Sequence, residues 1–276
     1  MRLGIATSAA HPAITAADLL AVNLAASLIG ARIIPVLWDS PTQPAVDALV
    51  IRSTWGYHHH AAEFEAWLRG LKCLVLNPVP LMLGNINKIY LKKLSAKGVP
   101  IVPTVFFQSP DELPDWPEMV VKPAISASSH LTFRVNRAEA PAAATKVLAR
   151  CLGLAQPFLR EIVEAGEVSA IYHKAKSEPA RFSHSLRKVP AKGDFRVQAE
   201  FGGLVAPYAL SQVARDFCEL TLSKVSGEWL YARVDFVETA QGPLLCELEL
   251  VEPYLFYEHP GADLAGFARS LASHLA

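Results

Sequence analysis

Two carboxylates two residues apart, Glu247 and Glu249, lie late in the chain in an otherwise apolar run. Side chains alternate along a strand. The pair therefore shares one face, and Cys246, Leu248 and Leu250 take the other. On a half-buried strand such a pair repels and is costly to desolvate. A hard divalent cation removes that cost, and carboxylate oxygens are the donors Mg²⁺ prefers. The preceding run, Trp229 to Glu238, carries Arg233 and Asp235 on one face. It is joined to the second run by Thr239-Ala240-Gln241-Gly242, whose glycine suits a turn. Asp235 on the neighbouring strand can complete a three-carboxylate metal site. On spacing alone, a solvent-facing hairpin with ordinary surface charges is the competing reading.

Three basic residues stand in settings that ask for an anion. A helix capped by Asn85 or Asn87 and running to Lys97 has Lys88 in its first turn. There the macrodipole disfavours a cation by ~0.3–1 kcal/mol. A phosphate partner accounts for that placement, and so does simple exposure. Lys122 ends the apolar run Met119-Val120-Val121 just before Pro123, either entering a cleft or marking the strand's exit to solvent. Arg196 lies in a predicted strand from Phe195 to Glu200, near Gly202-Gly203, glycines that permit close backbone approach to a ligand.

The elements that must position these groups change character along the chain. Strands are predicted at Arg2 to Thr7, Ile33 to Trp38, Ala48 to Arg52 and Cys73 to Leu76. Thr15 caps a helix that closes at Gly30. Phe64, Trp67, Leu68 and Leu71 recur at helical spacing. This alternation implies a small parallel sheet with helices on its faces. Gly4-Ile5-Ala6-Thr7 lacks the further glycines of a dinucleotide fingerprint. Next come the strands Met119 to Pro123 and Leu131 to Val135 around the loop Ala124 to His130. A helix follows from about Ala138 to Leu152, then a short extended segment, Gln156 to Leu159. From Glu167 strands dominate, with one helix from about Ser211 to Val225 ahead of the last hairpin.

Of the 276 residues, 26 are basic and 26 acidic, so no whole-molecule field holds the chain on nucleic acid or an anionic membrane. A small-molecule substrate is the better expectation. The four cysteines, Cys73, Cys151, Cys218 and Cys246, show no CxxC spacing. No segment reaches the ~20 uninterrupted apolar residues of a membrane span, nor is there a signal-peptide layout. A cytoplasmic protein is expected.

Val121-Lys122-Pro123, Gln156-Pro157-Phe158-Leu159, Gly166-Glu167-Val168-Ser169, Asp194-Phe195-Arg196 with Gly202-Gly203, Arg233-Val234-Asp235 and Glu247-Leu248-Glu249 follow the order seen in ATP-grasp ligases. The chain resembles their RimK-type and prokaryotic glutathione-synthetase-like branch. Arg52-Ser53-Thr54-Trp55 and the stretch Glu247 to Pro253 resemble the subgroup that includes the D-cycloserine-forming cyclo-ligase. The implied architecture is α/β and α+β, an ATP-grasp fold with an N-terminal parallel-sheet (pre-ATP-grasp) domain. That domain would span residues 1–80, a central subdomain 81–159 and a C-terminal subdomain 160–276.

The resemblance also implies roles. Lys88 and Lys122 would contact ATP phosphates, and Lys122 the adenine edge. Gln156, Pro157, Phe158 and Leu159 would form the hinge that reads adenine, Glu167 would accept from the ribose, and Ser126 and Ser128 would meet phosphate. Asp235, Glu247 and Glu249 would hold one or two Mg²⁺ ions, with Mn²⁺ as a substitute. Arg196, Arg233 and Lys188 would face the transferring phosphate and the substrate carboxylate. Arg52, Ser53, Thr54 and Trp55 would bind a small amino-acid-like substrate bearing a carboxylate and an amine. Arg52 would pair with its carboxylate, unless it is a buried arginine tying the sheet to its helices. The implied activity is ATP-dependent carboxylate–amine ligation through an acyl phosphate, with intramolecular cyclisation as one form. A nucleotide-binding protein without ligase activity and a kinase remain alternatives, and homo-oligomers are compatible with all of these.

The sequence departs from the family pattern in places. Ala124-Ile125-Ser126-Ala127-Ser128-Ser129-His130 has no glycine where related enzymes carry them, which predicts a stiffer loop. Gly56 stands where the subgroup commonly has an acidic residue. His58-His59-His60 reads as a surface helix start, because consecutive side chains there diverge. Tyr254, Phe256 and Tyr257 read as packing more readily than as a substrate wall.

Overall fold

The computed structural model describes residues 1–276. Four strands, β1 (Arg2–Thr7), β2 (Arg32–Leu37), β3 (Ala48–Ser53) and β4 (Leu74–Leu76), form a parallel sheet in the order β2-β1-β3-β4. Helix α1 (Ala16–Ile29) starts where the Thr15 hydroxyl accepts from the Asp18 N–H and ends on Gly30 at φ +62°. Helix α2 (Ala61–Gly70) buries Phe64 and Leu68 on its sheet-facing side.

Where one helix up to Lys97 is expected, the chain forms two, α3 (Val79–Ile86) and α4 (Tyr90–Ala96). Neither asparagine acts as an N-cap. The Asn85 side chain is buried, donates to the Leu248 carbonyl at 2.8 Å and accepts from the Leu250 N–H at 2.8 Å. Asn87 terminates α3, and its side chain accepts from the Ile89 N–H. Lys88 consequently sits in the turn between the helices.

The central sheet is antiparallel. It contains β5 (Val105–Phe107), β6 (Glu118–Pro123), β7 (Phe133–Asn136) and β8 (Gly153–Pro157), in the order β5-β8-β6-β7. Helix α5 (Ala140–Leu148) covers it and stops short of the expected Leu152. The chain needs those residues to turn into β8, whose pairing with β6 begins at Gly153.

A short helix, α6 (Glu161–Glu164), leads into the third sheet. Strands β9 (Glu167–Lys174), β10 (Ala180–Val189), β11 (Leu204–Pro207), β12 (Tyr231–Thr239) and β13 (Gly242–Glu249) run antiparallel in the order β11-β10-β9-β12-β13. Helix α7 (Gln212–Ser223) precedes β12. The expected strand from Phe195 to Glu200 does not form. That segment is an irregular loop ending in a 3₁₀ turn, Ala199–Phe201. A last helix, α8 (Leu264–Leu275), is capped by Asp263, whose carboxylate accepts from the Gly266 N–H at 2.7 Å. Sequence reading did not mark it, although Phe267, Ala268 and Leu271 carry the helical spacing.

Packing joins the first and third sheets. Leu3 and Ile5 of β1 share one core with Ile171, Leu186, Tyr231 and Phe267. Leu91 and Leu94 of α4 pack with Val168, Tyr172 and Phe236 of the third sheet. The central sheet keeps its own small core around Phe107, Met119, Val121 and Val147. No helix is long and apolar enough to cross a membrane.

Candidate active site

Between the central and third sheets lies a cleft of about 720 Å³. Strand β6 presents Lys122 to it, β8 Gln156, β9 Glu167, β10 Lys188, β12 Arg233 and Asp235, and β13 Glu247 and Glu249. Asp235 is the register partner of Glu247, and Arg233 of Glu249. Their pairing brings one oxygen each of Asp235, Glu247 and Glu249 within 4.8 Å of one another.

Each carboxylate has cationic company. Arg233 Nη2 lies 2.9 Å from Asp235 and 2.5 Å from Glu249. Lys88 Nζ is 2.7 Å from Glu247 and donates to the Ser126 carbonyl at 2.6 Å. Lys188 is central: its ammonium is 2.5 Å from Glu167 and 3.4 Å from Asp235. Burial works against the Asp235 charge, but Arg233 and Lys188 outweigh it and bring the carboxyl down to about 2. Glu249 goes the other way. Burial, with Glu247 and Asp235 adding to it against Arg233, pushes it up to about 7. The crowding that raises Glu249 is what a bound cation would relieve, and the three converging donors are hard oxygens, which fits a divalent cation of the Mg²⁺ class.

Lys122 is the exception among the cleft cations. Its ammonium makes no ion pair and no hydrogen bond, and burial depresses its pKa despite the attraction of Glu247. An unpaired cation on a half-buried strand end is the complement of a phosphate. At the hinge, the Phe158 N–H is used by the Glu118 carbonyl at 3.1 Å, while the Leu159 N–H has no protein partner and its side chain faces the cleft. Gln156 turns its amide to the Thr104 hydroxyl at 3.0 Å. Phe158 points away and lies under the Arg134 guanidinium at 3.7 Å.

Other residues fall out differently from expectation. Arg196 reaches the cleft rim but is neutralised by Asp194 at 2.7 Å and stacks 3.7 Å above the Phe201 ring. Gly203 serves the protein's own packing, since a Cβ there would meet the Val197 carbonyl at 2.3 Å. The loop that lacks glycine adopts left-handed backbone all the same, with Ser128 at φ +48°, Ser129 at +54° and Leu131 at +51°. Each such residue costs roughly 1–2 kcal/mol. Ser126 turns its hydroxyl to the Pro123 carbonyl.

The N-terminal strand end needs correction. Arg52 is 2% exposed and does not line the cleft. It pairs with Asp18 at 2.9 Å and donates to the Pro253 carbonyl at 3.1 Å, a tie between α1, β3 and the segment after β13. Ser53 and Thr54 are buried as well. Of the four, only Trp55 lines the cleft, its Nε1 donating to the Glu252 carbonyl at 3.3 Å. The aromatic run divides: Tyr254 and Phe256 face the cleft, and Tyr257 is core.

Two residues escaped sequence reading. Glu252 lines the cleft, and burial, reinforced by Glu249, pushes its carboxyl well above the usual range. It lies past the end of β13, where strand alternation no longer predicts a face. Ser169 donates its hydroxyl to Asp235 from the next strand, a cross-strand pairing only the register reveals.

Residues 3–77 match the family model of the D-cycloserine synthetase DcsG N-terminal domain. The cycloserine biosynthesis protein DcsG of Streptomyces lavendulae is 29% identical over 259 residues, covering 83% of each chain. The crystal structure of D-cycloserine synthetase DcsG superposes with a TM-score of 0.86 over the full length of both chains at 24% identity. The ATP-grasp ligase PsnB, in a complex with a phosphomimetic precursor variant, Mg and ADP, gives 0.66 at 14% identity, covering 99% of this chain and 98% of its own. The chain shares the fold of these ATP-grasp structures and is similar in sequence to the cycloserine biosynthesis protein. The N-terminal sheet is similar to that of the cycloserine synthetase.

Proposed function

We propose that the protein joins a carboxylate to an amine on a small amino-acid-like substrate at the cost of ATP, through an acyl phosphate. The convergence of Asp235, Glu247 and Glu249 opposite the unpaired Lys122 ammonium carries this reading. When bound, Mg·ATP supplies the phosphoryl group that gives the carboxylate a good leaving group. The three carboxylates would hold Mg²⁺, Lys122 and Lys88 the phosphates, the Leu159 N–H the adenine edge, and Glu167 the ribose. Arg233, and Lys188 between Glu167 and Asp235, would neutralise charge that builds on the transferring group. The loop 124–130 would exclude water from the acyl phosphate. Trp55, Tyr254 and Phe256 would wall the acceptor end, beside the Glu252 carboxyl. Ring closure within one molecule, suggested by the names of the relatives, is the first substrate class to test. The four cysteines are free, which suits a reducing cytoplasm.

The deciding assay supplies ATP and Mg²⁺ with amino-acid and ureido-amino-acid substrates and follows phosphate release and product mass. Ligase chemistry predicts phosphate release that requires the amine and a product lighter than its reactants by one water. A stable phosphorylated product would instead establish a kinase. No turnover with tight ATP binding would leave a nucleotide-binding protein.

Glu249→Gln tests the metal reading directly. The variant keeps size and hydrogen bonding but loses a charged donor. The Mg²⁺ concentration needed for half-maximal ATP turnover is expected to rise at least about tenfold, the lower bound for losing even an outer-shell partner. An unchanged Mg²⁺ requirement would remove Glu249 from the metal's ligands.

A further inference from the structure

The geometry points to a second metal site, built by His58, His59 and His130 and suited to Zn²⁺ or a similar late first-row divalent ion. One ring nitrogen of each lies within 4.8 Å of the others. Ring centroids are 4.0 Å apart for His58 and His59, 4.7 Å for His59 and His130, and 5.6 Å for His58 and His130. This overturns the expectation that neighbouring histidines here must diverge. The segment is a 3₁₀ turn, Tyr57–His60, and the third ligand comes from the loop between β6 and β7.

A second, independent observation also calls for a ligand. Both ring nitrogens of His58 and Nε2 of His130 are buried without any hydrogen-bond partner. Leaving such groups unsatisfied costs about 1–3 kcal/mol each, and a cation bound to their lone pairs removes part of that cost. Imidazole nitrogens select Zn²⁺, Ni²⁺, Co²⁺ or Cu²⁺ over Mg²⁺. With Zn–N bonds of about 2.0–2.1 Å, a tetrahedral ion sets its nitrogens about 3.3 Å apart. His59 is exposed and free to close that gap. Three histidines leave a fourth position open for water or a ligand from the cleft, which His58 itself lines.

The consequence is mechanical. His130 belongs to the glycine-free loop that also carries Ser126 and Ser128, whereas His58 and His59 belong to the N-terminal domain. A bound ion ties this loop to the rest of the protein.

Metal-stripped protein in saturating Mg²⁺, which occupies the carboxylates, is titrated with Co²⁺ and then Zn²⁺. One equivalent of Co²⁺ should give the visible bands of a four-coordinate nitrogen site, and Zn²⁺ should bleach them. Affinity should fall at least about tenfold in His59→Ala and in His130→Ala. It should hold in His60→Ala, whose imidazole lies outside the cluster, near Glu63. Hydrogen exchange at residues 126–132 should slow with Zn²⁺ in the unaltered protein and in His60→Ala, and not in His59→Ala or His130→Ala. The absence of such bands, or equal binding by all three variants, overturns the site, and unchanged exchange overturns the tether. No readout involves ATP, so failure here is distinct from failure of the ligase reading.

Discussion

Arg52→Ala should lower stability by about 3–5 kcal/mol, the usual result of breaking a buried ion pair from one side. The guanidinium lies 2.9 Å from Asp18 and 3.1 Å from the Pro253 carbonyl, with both side chains almost fully enclosed. Removing it leaves a carboxylate in the core, supported only by the Thr15 hydroxyl at 2.9 Å. In thermal melts the loss should appear as a fall in midpoint of roughly 6–20 °C, from ~2–4 °C per kcal/mol in a protein of this size. Arg52 Nε and Nη1 have no partner in the fold, so the pair already carries a desolvation cost. Replacing both members by apolar residues, Arg52→Met with Asp18→Leu, should therefore recover most of the loss. ATP affinity should survive in any folded variant, since the proposed nucleotide contacts lie outside the first sheet. Normal stability with a raised substrate KM would return Arg52 to the substrate site.

The second large effect is expected at Lys122. Truncating one member of a buried charge-assisted contact costs about 2–5 kcal/mol, so Lys122→Met should weaken ATP binding by roughly 30-fold to several-thousand-fold. Stability should move the other way. With no partner inside the protein, this ammonium is a desolvated charge whose removal leaves nothing unpaired. Equal or higher melting temperature together with lost nucleotide binding would mark a group retained for function against stability. Calorimetric titration with ATP and Mg²⁺ measures the first quantity and a thermal melt the second. Unchanged ATP affinity in the folded variant refutes the phosphate role.

Local rules carried a large share of the architecture. The Thr15 cap and Gly30 stop bound α1 as read, because hydroxyl acceptance and left-handed backbone are properties of single residues. The last hairpin was legible for a similar reason: strand parity places Glu247 and Glu249 together without knowledge of any partner. Parity failed at residues 195–200, where apolar alternation was present but no neighbouring strand was available to pair with it. The α3–α4 break was hidden because Asn85 is spent on β13, more than 160 positions away in sequence.

Strand periodicity, turn glycines and the order of short motifs thus determined the sheets and the carboxylate face of the cleft from sequence by itself. Those signals are local, set by backbone geometry within a few residues. Tertiary structure alone decided which charges were already paired. It drew Arg52 into Asp18 and away from the cleft, left Lys122 without a counterion, set Lys188 between Glu167 and Asp235, and joined His130 to His58 and His59. Pairing depends on distances of a few ångströms between elements remote in sequence, and on the desolvation that packing imposes. Neither quantity is written in the spacing of any one segment.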